Sequence, residues 1–266
     1  MTTTTTDPLF VLEDAPAVTD RHIAALAAGT LAAVRIPDLL TAEECADVLT
    51  SAEGLPVSSY DPHRVPVRIA RFGPALNDYR TADGSLDTKR YWEAADEARA
   101  AWTAAALRPD PIAISLARLG TAWGAAIAPA TIGGRPVFGG TLREINGGAL
   151  IHYDEVVREY PAGVFDQKIT AQLAFNLWVA VPELGGVTSI WRRRWQPGDE
   201  QHRDSYGYTP AATRDAHEVR HAPQLGDGLL FNPANMHAVS PNPASRRVAF
   251  AYFLALTHTG NLIYWS

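Results

Sequence analysis

Short apolar segments dominate the second half of the chain. After Pro136, runs rich in β-branched and aromatic residues are separated by Gly, Pro, Asn and Asp, a pattern typical of strands and turns. It predicts strands near residues 137–145, 149–153, 168–180, 187–192, 216–222, 228–232 and 246–256. No long helical pattern lies between them, whereas parallel strands need crossovers of about a dozen residues or more. We therefore predict an antiparallel double sheet.

The first half has the spacing of helices. Thr41 is followed three positions later by Glu44, a capping box that starts a helix, and the preceding AVRIPDLL predicts a short strand and a turn. Ala-rich segments with apolar residues at helical spacing predict two more helices, at Thr88–Leu107 and Pro111–Ala128. These helices would brace one face of the double sheet, which gives an α+β fold.

The chain has no internal repeat and no strong domain boundary. Residues 1–7 form a Thr-rich tail that we predict to be disordered. Residues 8–266 are predicted to form one domain, with mainly helical support in 8–136 and the sheet core in 137–266.

Composition narrows the partners and the compartment. Of 266 residues, 23 are Lys or Arg and 29 are Asp or Glu, so the net charge is -6, and the basic residues are spread along the chain. Such a field repels a phosphate backbone, and we expect no nucleic-acid partner. The single cysteine, Cys45, cannot form an intramolecular disulfide, and no apolar run reaches the roughly 18 residues of a membrane span. No signal peptide precedes the fold, so we predict a cytoplasmic protein without membrane contact.

Candidate metal ligands stand in the strand region. His152 and Asp154 are two positions apart, and residues i and i+2 of a strand point to the same face. His237 follows a turn, a strand and a polar loop and offers a third donor. Two imidazoles and one carboxylate form the facial triad that leaves coordination sites open on non-haem Fe(II). An isolated His-x-Asp is more often a surface pair or a structural hydrogen bond, so context decides.

The context includes an arginine pair. Arg246 and Arg247 precede VAFAYFLAL, a strongly apolar strand without an acidic residue. A guanidinium buried at the start of such a strand needs an anionic partner. A dicarboxylate cosubstrate would supply that partner.

These residues carry a family resemblance that extends over roughly residues 30–257. The chain resembles the Fe(II)/2-oxoglutarate-dependent oxygenases, particularly their prolyl-hydroxylase-like branch, through an ordered array: Leu150-Ile151-His152-Tyr153-Asp154, Pro182-Glu183-Leu184-Gly185-Gly186, Gly226-Asp227-Gly228-Leu229-Leu230-Phe231, His237-Ala238-Val239-Ser240-Pro241 and Arg246-Arg247-Val248-Ala249. The order and spacing of the array are more specific than any one motif. The resemblance implies a double-stranded β-helix, the cupin-like jelly roll, with iron in its mouth.

The resemblance also implies roles for individual residues. His152, Asp154 and His237 would bind Fe(II), and a basic residue about ten positions after the last histidine would bind the distal carboxylate of 2-oxoglutarate. Arg247 is ten positions after His237 and Arg246 is nine, so the two lie on opposite faces of the strand. We favour Arg247, where the Arg-Val-Ala-aromatic run begins.

The implied reaction consumes O2 and 2-oxoglutarate and hydroxylates an unactivated C–H bond. Related halogenases carry Gly or Ala where this chain has Asp154, so the carboxylate favours hydroxylation, and desaturation or cyclisation stays open. The resemblance points to the subgroup that acts on free amino acids or small natural-product intermediates. A peptidyl or carrier-bound substrate is the alternative. A homodimer is compatible with either class of substrate.

Other candidate site residues rest on weaker signals. Asn176 is a polar residue in an apolar strand and is predicted to contact the cosubstrate or to make a core hydrogen bond. Arg143 and Asn146 precede the His-x-Asp strand and would reach the cosubstrate, the substrate or the surface. Trp191 and Arg193 belong to WRRRW, which would form a substrate wall or a solvated edge.

Two readings compete with the oxygenase. His217, Glu218 and His221 match H-E-x-x-H, which binds zinc in metallopeptidases when it lies on a helix, but the segment lacks an apolar stripe and Pro223 follows it. A non-catalytic jelly-roll binding module is the other, although a protein that only binds has no need of open iron positions.

Overall fold

The helices lie mostly in the first half of the chain. The computed structural model describes residues 7–60, 69–242 and 246–266, so the predicted tail falls outside it except for Asp7. Within these ranges the helices are α1 (Asp20–Ala28), α2 (Ala42–Ala52), α3 (Thr88–Ala105), α4 (Pro111–Trp123) and α5 (Val156–Glu159), with 3-10 turns at Leu76–Tyr79, Pro197–His202 and Pro210–Thr213. None of these helices is long and apolar enough to span a bilayer.

The helix ends follow local capping chemistry. Thr41 Oγ1 accepts the Glu44 amide at 3.1 Å and the Glu44 carboxylate accepts the Thr41 amide at 2.7 Å, which confirms the capping box of α2. Helix α4 ends at Trp123 because Gly124 adopts φ +81°, so it is shorter than the predicted Pro111–Ala128.

Strands fill the second half and also occur before it. In chain order they are β1 (Leu12–Asp14), β2 (Ala33–Ile36), β3 (Ser58–Ser59), β4 (Ala70–Phe72), β5 (Ala128–Pro129), β6 (Thr131–Ile132), β7 (Arg135–Pro136), β8 (Thr141–Glu144), β9 (Ala149–His152), β10 (Ile169–Ala180), β11 (Thr188–Arg194), β12 (Arg203–Asp204), β13 (Gly207–Tyr208), β14 (Glu218–His221), β15 (Gly228–Phe231), β16 (Asn235–Val239), β17 (Val248–Thr257) and β18 (Leu262–Trp265).

Two sheets contain all of these strands except β6 and β7, which pair with each other. The large sheet has the order β1-β2-β15-β10-β17-β8-β4-β3, with β18 beside β17 and β5, and the small sheet has the order β12-β13-β9-β16-β11-β14. Neighbouring strands are antiparallel except for the pairs β1–β2 and β5–β18. The prediction of an α+β fold with large antiparallel sheets is confirmed.

The two faces of β17 show how the layers are arranged. Val248, Phe250 and Leu254 belong to the main hydrophobic core, which also contains Leu26 of α1 and Val48 of α2. The helices therefore cover one face of the large sheet. The other face of β17 begins at Arg247 and looks toward the small sheet across a cavity.

The strand that carries His237 was not predicted. Its segment, NPANMHAVSP, has the turn-forming residues of a loop, yet β16 pairs with β11 on one side and with β9 on the other, where His237 lies opposite His152. Long-range pairing therefore overrides the local signal. Strand β2 confirms the short strand predicted in AVRIPDLL, whereas β1, β3 and β4 were not predicted and also join the large sheet from the half of the chain in which helices dominate.

Candidate active site

Three potential metal ligands meet at the mouth between the sheets. His152 ends β9, Asp154 follows two residues later, and His237 lies on the neighbouring strand β16. Asp154 Oδ2 is 3.8 Å from His152 Nε2 and 3.6 Å from His237 Nε2, and one ligand atom of each residue lies within 4.8 Å of the others. The backbone amide of Asp154 donates to the Pro233 carbonyl at 2.9 Å, which fixes the turn that holds the carboxylate.

Both imidazoles present the same nitrogen to this point. His152 Nδ1 lies 2.7 Å from the Leu150 carbonyl oxygen and His237 Nδ1 lies 2.9 Å from the Asn235 carbonyl oxygen. Because a carbonyl oxygen only accepts, each Nδ1 carries the hydrogen and donates it. The lone pair of each Nε2 is therefore free for a metal, the orientation that histidine ligands need.

The protonation states also suit a metal. Burial, and to a smaller extent the neighbouring His237, lowers the pKa of His152 to about 4, so this imidazole is neutral near pH 7. Burial alone would raise the pKa of Asp154, but the contact with His237 and the nearby positive charges outweigh it and bring that pKa to about 2. A neutral imidazole and an ionised carboxylate are the forms that bind metals, so the residues fit a bound Fe(II).

A cavity extends from these ligands into the space between the sheets. Residues of both sheets line it, and they include Arg143, Asn176, Thr188, Phe231 and Arg247 beside the three candidate ligands. Both apolar and polar side chains line the cavity, as is usual for small-molecule sites.

Arg247 is buried in the wall of this cavity. Its Nε donates to the Gly186 carbonyl at 3.0 Å, one NH2 group donates to Thr188 Oγ1 at 3.2 Å, and the guanidinium lies 5.6 Å from the centre of the Trp178 ring. Burial lowers its pKa to about 10, so it stays charged at neutral pH, and no carboxylate of the described residues pairs with it. A guanidinium held this way can bind an anion that enters the cavity.

Gly186 explains why a glycine turn precedes Thr188. It adopts φ +64°, and a Cβ there would lie 2.9 Å from Arg247 Cδ. The backbone must approach the arginine this closely for its carbonyl to accept from Nε, which only glycine allows.

Arg246 lies on the outside. Its Nε and NH2 donate to Glu144 Oε2 at 3.1 and 2.8 Å, and 59% of its side chain is exposed. The opposite faces expected for the pair are therefore observed, with Arg247 inward.

The remaining candidates divide between the cavity and its surroundings. Asn176 and Arg143 line the cavity. Asn146 does not: its Nδ2 donates to Glu144 at 2.8 Å and its Oδ1 accepts the backbone amide of Arg247 at 3.0 Å, so it holds the start of β17.

Trp191 and Arg193 face away from the cavity. Thr188 and Ile190 of β11 point inward, so alternation directs Trp191 and Arg193 outward. Trp191 packs against the cluster of Ile151, Tyr208 and Met236, and Arg193 forms an ion pair with Asp199 at 2.6 Å. Their position differs from the predicted substrate wall.

The H-E-x-x-H segment forms strand β14 rather than a helix. His221 is buried with its ring 5.3 Å from that of Trp178, whereas the ring of His217 lies 6.1 Å from Phe10. Among the described residues, the triad of His152, Asp154 and His237 is the cluster with metal-ligand spacing. The zinc-peptidase reading is therefore wrong.

Sequence reasoning missed several residues of the cavity. Gln172 lines it four positions before Asn176 on β10, and Tyr206 lies with its ring 5.9 Å from that of His152. The even spacing of two polar residues in one apolar strand was the available signal for Gln172. Tyr206 comes from a connection whose position the sequence pattern does not encode.

Comparison with known proteins adds the family. The chain matches no protein-family model. It is 51% identical over 258 residues to the L-gamma-glutamyl-L-propargylglycine hydroxylase of Streptantibioticus cattleyicolor, an alignment covering 97% of this chain and 96% of the relative. It is 34% identical over 122 residues, 42% of this chain and 49% of the relative, to the leucinostatins biosynthesis cluster protein S of Purpureocillium lilacinum.

A solved structure shares the fold. The N-substituted L-amino acid dioxygenase of Burkholderia ambifaria AMMD, solved with alpha-KG, superposes with a TM-score of 0.63 at 18% identity and covers 92% of this chain and 90% of its own. At that identity the likeness concerns the fold alone.

The chain belongs to the Fe(II)/2-oxoglutarate-dependent oxygenases, which confirms the resemblance seen in the sequence. Within them it is a member of the family of the Streptantibioticus cattleyicolor hydroxylase. The predicted enzyme class, a hydroxylase, is confirmed with it.

Proposed function

We propose that the enzyme hydroxylates a C–H bond of a γ-glutamyl amino acid. The observation that carries this proposal is 51% identity along almost the whole chain to a hydroxylase whose named substrate is a γ-glutamyl dipeptide. A γ-glutamyl dipeptide is an amino-acid derivative. It is therefore one particular kind of the small natural-product intermediates predicted from the sequence. Asp154 supports hydroxylation over halogenation, and desaturation or cyclisation stays an alternative outcome at the same site.

The proposal assigns the double-stranded β-helix to the eight central strands. Strands β8, β17, β10 and β15 are adjacent in the large sheet, and β9, β16, β11 and β14 are adjacent in the small one. Along the chain, β8 to β11 and β14 to β17 pass back and forth between the sheets, as the strands of a jelly roll do. In this proposal residues 8–266 act as one domain.

His152, Asp154 and His237 hold the iron in this proposal. Their Nε2 and carboxylate atoms converge, and the tautomers and charges derived above leave each atom able to bind. When bound, Fe(II) with O2 and 2-oxoglutarate supplies an oxidant that hydroxylates a C–H bond while the cosubstrate leaves as succinate and CO2. The protein contributes position and a cavity that limits access of water.

Arg247 binds the distal carboxylate of 2-oxoglutarate in this proposal. Its contacts to Gly186 and Thr188 use only part of its donors and fix the plane of the guanidinium. The remaining donors face a cavity that includes the metal ligands. Asn176, on the same wall, is proposed to contact the cosubstrate or the substrate.

The substrate assignment can be tested with a panel. Purified enzyme is incubated with Fe(II), 2-oxoglutarate and air, and succinate is measured with γ-glutamyl-L-amino acids and with the corresponding free amino acids. We expect γ-glutamyl compounds to stimulate succinate formation and to gain one oxygen atom by mass spectrometry. Stimulation by the free amino acids alone would contradict the proposal. The cytoplasmic location and the homodimer stay predictions.

A further inference from the structure

The cavity contains a second cation besides Arg247. Arg143 lies on β8, where its neighbours Leu142 and Glu144 point to the other face: Leu142 packs in the main core and Glu144 pairs with Arg246 at the surface. Alternation therefore turns Arg143 and Ile145 toward the cavity, and both line it.

Arg143 lacks an anionic partner among the described residues. Its Nε is buried without a hydrogen-bond partner, and no carboxylate of residues 7–60, 69–242 or 246–266 forms an ion pair with it. A buried donor left unsatisfied is costly, more so when it is charged. The side chain is thus arranged for an acceptor that arrives from outside the protein.

A second arginine on the neighbouring strand makes the binding of an anion by Arg143 more favourable. Arg71 of β4 lies directly opposite Arg143, and like charges in such cross-strand pairs repel. Arg71 is already paired with Asp78 and donates to the Gly73 carbonyl at 3.1 Å, and it lies 4.3 Å from the centre of the Tyr60 ring. Asp78 is therefore occupied by Arg71, and Arg143 faces the cavity with its charge unpaired among the described residues.

The cosubstrate does not account for this charge. Of the two carboxylates of 2-oxoglutarate, one is assigned above to Arg247, and the other, beside the keto group, would bind the metal held by His152, Asp154 and His237. Arg143 lies opposite Ala249 on β17, two residues beyond Arg247 on the inward face, so the two guanidinium groups occupy separate places on one wall. The anion for Arg143 must then belong to the other molecule in the cavity, the substrate.

We propose that Arg143 binds a carboxylate of the substrate and makes the enzyme selective for amino-acid derivatives that keep a free carboxylate there. This inference rests on the proposed function, since a γ-glutamyl amino acid carries two carboxylates. Arg143 lines the same cavity as His152, Asp154 and His237, the three proposed metal ligands. A substrate held by Arg143 is therefore held close to the reacting centre.

Binding and kinetics together test the role. Variants Arg143→Gln and Arg143→Lys are compared with wild type and with Arg246→Gln, a matched loss of an arginine on the outer face. Binding of a γ-glutamyl-L-amino acid is measured by calorimetry on enzyme loaded with Mn(II) and 2-oxoglutarate. We expect the Kd to rise about a hundredfold in Arg143→Gln, less in Arg143→Lys and not in Arg246→Gln, with the KM for 2-oxoglutarate unchanged throughout.

Two substrate analogues identify the partner group. One carries a carboxamide in place of the C-terminal carboxylate and the other in place of the glutamyl α-carboxylate. For one of them, wild type and Arg143→Gln should bind equally, because the interaction is already absent. An equal penalty for both analogues, or a rise in the KM for 2-oxoglutarate instead, would overturn the inference.

The outcomes separate this inference from the proposed function. If the dipeptide binds in an Arg143-dependent way but is not hydroxylated, the proposed function fails and the inference stands. If it is hydroxylated and Arg143→Gln binds it as wild type does, the inference fails and the proposed function stands. Absence of binding to wild type overturns both.

Discussion

Single residues decide whether the site can hold a metal. The backbone carbonyls of Leu150 and Asn235 set the tautomers of His152 and His237, and the turn after β9 brings Asp154 to their Nε2 atoms. The pattern His-x-Asp was visible in the sequence because strand alternation is local. The tautomers were not, since they depend on backbone geometry.

The first prediction concerns the three ligands. His152→Ala, Asp154→Ala and His237→Ala should each lose Fe(II) binding and hydroxylation, because each removes a ligand that nothing else replaces. His217→Ala should keep both, since that ring packs near Phe10 instead. Iron titration of the folded variants measures this, and retention of iron by Asp154→Ala together with loss in His217→Ala would contradict the assignment.

The second prediction concerns the arginine pair. Arg247→Gln should raise the KM for 2-oxoglutarate strongly, since losing one partner of a buried charge pair costs about 2–5 kcal/mol. Arg246→Gln should change little, because exposed ion pairs such as that with Glu144 contribute about 1 kcal/mol or less. Steady-state kinetics with varied 2-oxoglutarate measures both. A larger effect of Arg246→Gln would reverse the inward and outward faces of the pair.

The third prediction uses the buried histidine of the unused H-E-x-x-H motif. Burial lowers the pKa of His221 to about 4, below the value of about 6.5 expected in the unfolded chain. Between pH 4 and pH 6.5 the unfolded state therefore binds more protons than the folded state. The contribution of neutral His221 to the free energy of unfolding is complete above pH 6.5 and is lost as the pH falls toward 4. Wild type should lose about 2 kcal/mol more than His221→Gln between pH 7 and pH 5.

Urea unfolding at the two pH values measures this difference. His258→Gln serves as the control for replacing a histidine with glutamine, because His258 is exposed. An identical acid loss in wild type and His221→Gln would show that His221 is not held neutral by burial.

At the scale of elements, pairing between distant strands completes the site. The sequence of strand β16 predicts a loop. His237 lies opposite His152 only because β16 pairs with both β9 and β11. In strand β11 the local pattern is sufficient for relative orientation. Because side chains alternate along the strand, Trp191 and Arg193 must point outward if Thr188 faces the cavity. The sequence predicts which residues of a strand share a face. Which of the two faces lines the cavity depends on how the two sheets pack together.

The fourth prediction concerns the turn before β11. Gly186→Ala should raise the KM for 2-oxoglutarate, because its Cβ would meet Arg247 Cδ at 2.9 Å and displace the guanidinium. Gly163→Ala is the matched control: it also has positive φ, +83°, but nothing lies within 4 Å of its Cβ. Both should lose about 1 kcal/mol of stability from backbone strain, and Gly186→Ala should lose more, because its Cβ would also lie 2.8 Å from Pro182 Cγ.

Kinetics and thermal unfolding of the two variants separate strain from contact. We expect a loss of stability in both variants, larger in Gly186→Ala, and a change in the KM for 2-oxoglutarate in Gly186→Ala alone. Equal KM values for both variants would mean that the turn does not position Arg247.

At the scale of the whole molecule, the sequence predicted the reaction class better than the substrate. The ordered array from His152 to Arg247 reports a site that every member of the class needs, so the family and its cofactors could be read from it. We propose that substrate selection depends on Arg143, and the cavity around it combines residues from distant parts of the chain. Such a combination leaves no local pattern.

The central claim, that this chain is an iron-dependent hydroxylase built on His152, Asp154 and His237, is tested most directly by isotope labelling. Wild type and His237→Ala are incubated with Fe(II), 2-oxoglutarate, a γ-glutamyl-L-amino acid and isotopically labelled O2. The masses of the products are then measured by mass spectrometry. We expect one labelled atom in the hydroxylated product and one in succinate with wild type, and neither with His237→Ala. Unlabelled hydroxylated product, or labelled product from His237→Ala at the wild-type level, would contradict it.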